Sequence, residues 1–311
     1  MKYDIIGDIH GCYDTLITLL DKLDYELIDG CYQHASRKLI FVGDFIDRGP
    51  KQLEVIDCAK AMVDAGHALA VMGNHELNAI AYATADPNDG GYLRRHSERN
   101  QRNHQDFLDA VEGNPQKYAE VINWFFTLPM WLELDKLRII HACWNQQTID
   151  KIQTHYSDSP YLSNDLLIAA ADPRRWEHGA LEELLKGKEI RLSDGHSFID
   201  PGGIKRRNMR VRWWDATATT YRSAFMGPEA ALPYLSTETI EEDHLVNYAE
   251  NEKPLFIGHY WLTGKPELLT KNIACVDYSI ARSDGKMCAY RWDGEQELSA
   301  NKFVTVPRLE P

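Results

Sequence analysis

The 311-residue sequence is poor in the features that mark secreted, membrane-spanning or nucleic-acid-binding proteins. Its six cysteines (Cys12, Cys31, Cys58, Cys143, Cys275 and Cys288) include no C-x-x-C pair, which argues against a disulfide framework or a zinc ribbon and fits reduced cytosolic thiols. No run of about 18 apolar residues occurs that could cross a membrane. The opening MKYDII lacks the charged, apolar and small-residue regions of a signal peptide, so the expectation is a cytoplasmic protein with no membrane partner. Basic residues are in deficit, 34 against 47 acidic ones, and the net charge of −13 makes the molecule as a whole repel long nucleic acid and anionic lipid. Any polyanionic partner must therefore be held by a local cluster of cations. Repeats, low-complexity tracts and a clear interdomain linker are also missing.

What is present is a core-forming chain, 44% hydrophobic, in which short apolar runs alternate with helical patterns. YDII (3–6), KLIFV (38–42) and HALAVM (67–72) read as strands of a parallel sheet. Between them lie a helix carrying Leu16, Leu19, Leu20 and Leu23 on one stripe, and a second over Gln52 to Asp64 whose buried face is expected to carry Leu53, Ile56, Met62 and Val63. Residues 76–127 read as helical, forming a layer or lid, and MWLEL and LRIIH as a hairpin around Asp135-Lys136. The stretch from about 150 to 250 mixes short helices, such as LEELLKG, with irregular loops rich in Gly, Pro, Asp and Ser. PLFIGH, NIACVDY, KMCAYRW and KFVTV then read as consecutive strands of a second sheet. The expected domain organisation is one domain over 1–311 with a helical insertion at about 85–130 and an irregular one at about 150–250.

Polar residues follow the apolar runs in a consistent way. YDII is followed by Asp8 and His10, KLIFV by Asp44 and Asp47, HALAVM by Asn74 and His75, LRII by His141, and PLFI by His259. In open α/β sheets ligands bind beyond the carboxyl ends of the strands, so these distant residues can converge on one site. Carboxylates, an amide and imidazoles make a mixed oxygen and nitrogen donor set, suited to manganese, iron or zinc rather than to a thiolate site or a calcium cage. The donors outnumber the needs of one tetrahedral ion, which points to two divalent ions sharing a carboxylate.

In order, GDIHG (7–11), GDFIDRG (43–49) and GNHE (73–76), with single histidines at 141 and 259, resemble the calcineurin-like metallophosphoesterases, and within them the phosphoprotein phosphatase group. That group includes protein phosphatases and symmetrical diadenosine tetraphosphate hydrolases. The resemblance implies an α/β, four-layer sandwich of two mixed β-sheets flanked by helices. It also implies that Asp8 and His10 hold one ion, that Asp44 bridges, and that Asn74, His141 and His259 hold the second. Asp47 would orient His75, the general acid, while Arg48 grips the substrate phosphate. Manganese is the first choice of metal, with iron or zinc the alternatives. The implied chemistry is hydrolysis of phosphate esters by in-line attack of a metal-bridging hydroxide, on a phosphorylated protein, a small phosphomonoester or a nucleotide. A dinucleoside polyphosphate hydrolase is the alternative within this chemistry, and a silent phospho-binding scaffold the rival outside it.

The sequence departs from the family pattern in two places. HACW (141–144) stands where His-Gly-Gly is usual, so Cys143 and Trp144 are expected to change the pocket. The family's second phosphate-gripping arginine has no plain counterpart; in KRRNMRVRWW (205–214), Arg212, followed by two tryptophans, fits best, with Arg210 the other candidate beside Arg48 and Asn74 as substrate contacts. Lys205, Arg206, Arg207 and the run RRHSERNQR (94–102) read as solvated charge.

Overall fold

A computed structural model describes residues 1–193, 195–199, 203, 205–241 and 243–310. The chain opens with β1 (Lys2–Ile6) and α1 (Tyr13–Lys22), whose buried Leu16, Leu19 and Leu20 recur at helical spacing. A hairpin of β2 (Glu26–Ile28) and β3 (Cys31–Gln33) turns on Asp29 and Gly30, both at positive φ, the backbone that a two-residue turn of matching twist requires. β4 (Arg37–Phe41), α2 (Gln52–Asp64), β5 (Ala68–Ala70) and α3 (Asn74–Ala83) complete the first unit. Three helices follow, α4 (Glu98–Asn103), α5 (Gln105–Ala110) and α6 (Pro115–Phe126), then the hairpin β6 (Trp131–Glu133) and β7 (Arg138–Ile140). Next come α7 (Gln146–His155), α8 (Asn164–Ala170) and α9 (Trp176–Lys186). The short strands β8 (Glu189–Arg191), β9 (Phe198–Ile199), β10 (Lys205–Arg206) and β11 (Asn208–Arg210) pair β8 with β11 and β9 with β10, and α10 (Tyr221–Ala224) follows. The chain closes with β12 (Leu255–Ile257), β13 (Ile273–Cys275), β14 (Asp277–Tyr278), β15 (Lys286–Trp292) and β16 (Phe303–Pro307).

Two mixed sheets face each other. The first has the order β14-β15-β1-β4-β5 with β16 on β15, and the second the order β13-β12-β7-β6. β1, β4 and β5 run parallel, as do β7, β12 and β13, so each set directs its carboxyl ends the same way. Side-chain alternation divides the core accordingly. Ile5, Ile40, Val71, Ile139, Phe256 and Ala274 meet between the sheets, whereas Ile6, Phe41, Ile140, Leu255 and Ile257 face the outer helices. This gives helix, sheet, sheet and helix layers, the four-layer α/β architecture expected from the sequence.

Several local expectations are corrected. β14, β15 and β16 belong to the first sheet and not to the second, with β15 antiparallel to β1. The chain changes sheets at Val276, between β13 and β14, and it passes so close to Gly7 that a Cβ there would collide with the Val276 carbonyl. Within α2 the buried positions are Gln52, Val55, Ile56, Ala59 and Met62; Leu53 and Val63 are only half-buried, because the helix turns Gln52 inward toward the loop before it. No helix spans residues 84–97, where Asp86-Pro87-Asn88-Asp89-Gly90 supplies turn chemistry instead. In the stretch from 150, the expected helix at LEELLKG coincides with the end of α9, and α8 and most of α7 lie there as well.

Because Phe256 is fully buried between the sheets, Phe256→Ala is expected to cost about 3–5 kcal/mol through lost transfer energy and an unfilled cavity. Denaturant unfolding measures this. A cost under about 1 kcal/mol would show that the sheets are not close-packed there.

Candidate metal centre

Beyond the carboxyl ends of β1, β4, β5, β7 and β12, the chain places Asp8, His10, Asp44, Asp47, Asn74, His75, His141 and His259 together. All of them are buried except His75, which is partly buried at the rim. The backbone there is unusual: His10, Asp44, Asp47, Arg48 and His259 have φ of 48°, 54°, 67°, 79° and 71°. Non-glycine residues rarely adopt this left-handed region, and such strain clusters at functional sites.

Among the described residues, two groups of donor atoms each lie within 4.8 Å of one another, His10, Asp44 and His75 forming one and Asp44, His141 and His259 the other. Asp44 is common to both. Its Oδ2 lies 3.7 Å from His10 Nε2, 4.0 Å from His75 Nε2 and 3.3 Å from His141 Nε2. Asp8 Oδ2 is 3.9 Å from His10 Nε2, and Asn74 Oδ1 is 3.3 Å from His141 Nε2. Carbonyl oxygens fix the ring orientations: His10 Nδ1–H donates to Ile46 O at 2.8 Å and His141 Nδ1–H to Val42 O at 2.7 Å. In the neutral rings this leaves the Nε2 lone pairs facing the centre.

The residues fit divalent cations. The Nε2 atoms of His10 and His259 are buried without a hydrogen-bond partner among the described residues, an arrangement that needs an explanation such as a bound ion. The Asp8 carboxyl is pushed well up, first by burial and then by the negative Asp277 and Asp44. Burial lowers His10 to about 4 and His259 well below the ordinary imidazole value, with His75 and Arg210 respectively adding to the effect. Asp44 goes the other way: burial opposes its ionisation, but His141 and His75 hold it well below the usual carboxylate range.

Around this centre, His75 Nδ1–H donates to Asp47 Oδ2 at 2.5 Å, and burial of His75 is outweighed by Asp44 and Asp47, which raise it. Asp47 itself is held low, with the hydrogen bonds from His104 and His75 overcoming its burial. Arg48 is exposed at the mouth of a cavity of about 420 Å³ that also touches Asn74, His75, Arg94, Arg206, Arg210 and His259. Arg210, whose guanidinium lies 5.9 Å from the Tyr260 ring centre, thus reaches the site.

Arg212 does not, which corrects the choice made from sequence. Val211 pairs with Phe225 and Trp213 is buried, so Arg212 between them is turned out, with its N–H donating to Ala224 O. Cys143 and Trp144 are both buried in the core and do not line this cavity. Arg94 and Arg99, from the run read as solvated, do line it.

Sequence reasoning missed Glu76 and His104. Glu76 is fully buried; its Oε2 accepts N–H bonds from Asp44 (2.8 Å) and Gly73 (2.9 Å), and its Oε1 accepts one from Phe45 (2.9 Å). Burial and the nearby Asp44 raise it to about 7. A sequence signal existed, since Glu at the third residue of a helix commonly reaches back to the backbone before it. His104 Nδ1–H donates to Asp47 Oδ1 at 2.9 Å, a contact across 57 residues that no local pattern announces.

Glu76→Gln replaces one of these acceptor oxygens with a donor, so at least one backbone N–H loses its partner. The expected loss of stability is about 1–3 kcal/mol by denaturant unfolding. An unchanged midpoint would remove Glu76 from this bracing role.

Comparison with known proteins agrees with the geometry. The family model for calcineurin-like phosphoesterases matches residues 1–264. The asymmetrical bis(5'-nucleosyl)-tetraphosphatase PrpE of Halalkalibacterium halodurans is 54% identical over 76 residues, which are 24% of this chain and 31% of that protein. The symmetrical bis(5'-nucleosyl)-tetraphosphatase of Methylobacillus flagellatus is 33% identical over 137 residues, 44% of this chain and 41% of that protein. The match therefore spans about a third to two fifths of these curated relatives. A protein serine/threonine phosphatase from Saccharomyces cerevisiae shares the fold, with a TM-score of 0.52, 16% identity, and coverage of 100% of this chain and 81% of that one. Among the described residues, no helix is long and apolar enough to cross a membrane.

Proposed function

The chain belongs to the calcineurin-like phosphoesterases, and from that membership we propose that it is a metal-dependent hydrolase of phosphomonoesters, acting by in-line displacement at phosphorus. The observation that carries this reading is the sharing of Asp44 by two donor groups beside a cation-lined cavity. Asp8, His10 and Asp44 are assigned to one divalent ion, and Asp44, Asn74, His141 and His259 to the other, with manganese first among the metals that suit mixed oxygen and nitrogen donors. Such ions, when bound, supply positive charge to the phosphoryl oxygens and make a water acidic enough to attack at neutral pH.

The chain's own side chains do the remaining work. Arg48 offers a planar fork of donors to two phosphoryl oxygens, and Arg210 a second cation from β11. His75, its Nδ1–H held by Asp47, turns Nε2 toward the centre and delivers a proton to the departing ester oxygen. Protonating that oxygen in the transition state is worth about 10²- to 10⁴-fold. The product leaves as orthophosphate and a neutral alcohol, with no covalent bond to the protein. His75 is itself a member of the first donor group, which does not include Asp8, so it could be a ligand in the place assigned to Asp8. Its partial exposure at the cavity, where a leaving group must sit, favours the acid role.

A second reading, hydrolysis of a dinucleoside polyphosphate, draws support from the cavity wall. Six cations (Arg48, Arg94, Arg99, Lys186, Arg206 and Arg210) face three carboxylates (Asp47, Glu182 and Glu189), an excess of positive charge in an acidic protein. Through Glu189, Arg206 and Arg210 the cavity adjoins a second one of about 610 Å³ walled by Phe198 and Phe225. The relatives named above as tetraphosphatases belong with this reading.

Activity with added manganese on a phosphoserine peptide, a phosphotyrosine peptide and diadenosine tetraphosphate, compared by kcat/KM, decides between the two. Higher efficiency on the monoesters is expected. For the centre itself, elemental analysis of manganese-loaded protein is expected to give two ions per chain, reduced by Asp44→Asn and kept by His75→Asn. His75→Asn is also expected to lose turnover on alkyl phosphates by about 10²-fold or more. Loss of one ion in that variant would make His75 a ligand and not the acid.

A further inference from the structure

The turn that carries Asp47 and Arg48 is improbable as a backbone, with two consecutive non-glycine residues at positive φ (67° and 79°). Part of its support is local: Asp47 N–H donates to Gln52 Oε1 at 2.7 Å, and Gln52 Nε2 donates to Gly49 O. The rest comes from the α4–α5 junction. Arg48 N–H donates to Asp106 Oδ2 at 3.0 Å, and His104 Nδ1–H to Asp47 Oδ1 at 2.9 Å. The two oxygens of Asp47 are thus each engaged by one imidazole, His75 on Oδ2 and His104 on Oδ1.

That second bond matters geometrically. A carboxylate held at one oxygen can still turn about its Cβ–Cγ bond and present either oxygen, whereas one held at both has a fixed plane. His104 can impose such a constraint because it is itself immobile: it is buried, with its ring centre 5.0 Å from that of Phe107 and 5.4 Å from that of Tyr82. Phe107 belongs to the main hydrophobic core, so the reference point is the core and not a surface loop. The other ring nitrogen of His104 is buried without a partner among the described residues. An aromatic chosen for packing alone would avoid that orphaned atom, as Phe107 does.

We infer that His104 is a positioning residue, which locks the carboxylate plane of Asp47 and through it aims the imidazole of His75. The inference rests on the reading of His75 as proton donor and adds a specific role for the α4–α5 segment, which then forms part of the catalytic loop's support.

The test uses leaving-group dependence in the full-length, manganese-loaded protein. A proton donor matters little for p-nitrophenyl phosphate, whose leaving group departs readily as the anion, and more for phenyl phosphate, whose leaving group is more basic. His104→Ala is expected to lower kcat/KM on phenyl phosphate by about 10- to 100-fold, the range for a misaimed catalytic group, while p-nitrophenyl phosphate changes less than about threefold. His104→Asn, whose amide N–H can occupy the place of the Nδ1–H, is expected to restore most of the difference. The ratio between substrates is read from one preparation, so partial misfolding of a variant cannot imitate it. An equal loss on both substrates, no loss, or no rescue by Asn would overturn the inference. His75→Asn serves as the reference. If that variant shows no substrate-dependent loss, the proton-donor reading itself fails; if it does and His104→Ala does not, only the role given to His104 fails.

Discussion

Every polar group of Asp44 is committed to a different part of the centre. Its N–H donates to Glu76, its carbonyl accepts N–H bonds from Ile9 and His10, its Oδ1 accepts the His75 N–H, and its Oδ2 faces three imidazoles. One residue in a left-handed conformation therefore ties the loops after β1, β4 and β5 together. Gly73 permits this closeness, since a Cβ there would strike Asp44 Oδ1 and the Asp44 nitrogen. The donor set is thus assembled by backbone hydrogen bonds before any ion is considered, which is the rigid support that precise chemistry requires.

Electrostatics and burial oppose each other across the site. Asp8 and Asp44 are buried carboxylates, and Glu76 and Asp277 are two more in the same neighbourhood. Collecting these four, with Asp47 a fifth, is costly unless positive charge compensates. Asp277 accepts N–H bonds from Trp261 and Ser279, and Glu76 accepts three, so these two are stabilised by dipoles. Among the described residues, Asp8 accepts only the long hydrogen bonds from the His259 N–H at 3.2 and 3.3 Å. The electrostatic demand of the centre thus falls on Asp8 and Asp44. A net charge of −13 makes the arginines around the cavity the more notable, because they reverse the sign of the molecule's field just where an anion would enter.

Much of this was legible in the sequence, for a definite reason. A strand that ends in Asp-x-His, Asp-x-x-Asp-Arg or Asn-His places its polar groups at the same edge of the sheet, so reading apolar runs and the residues after them recovers the centre without knowing the fold. What failed were properties that local pattern does not encode. A buried strand such as KMCAYRW has the same composition in either sheet, and only the crossing at Val276 decides its place. Arg210 and Arg212 have the same side chain two positions apart and the same strand alternation, so only the folded chain, in which Arg210 lines the cavity and Arg212 does not, tells them apart. His104 is one of two histidines in the polar run 94–105; its partner, Asp47, is visible only once α5 has packed on the core.

The centre draws Asp8, His10, Asp44 and Asn74 from one sheet and His141 and His259 from the other. Its dimensions are therefore those of the seam between two layers, set by the volumes of Ile5, Ile40, Ile139, Phe256 and their neighbours. A change of a single methylene among these apolar residues, remote from any reacting group, would slide one half of the cluster against the other by tenths of an ångström. In this architecture the shims that calibrate the chemistry are hydrocarbons.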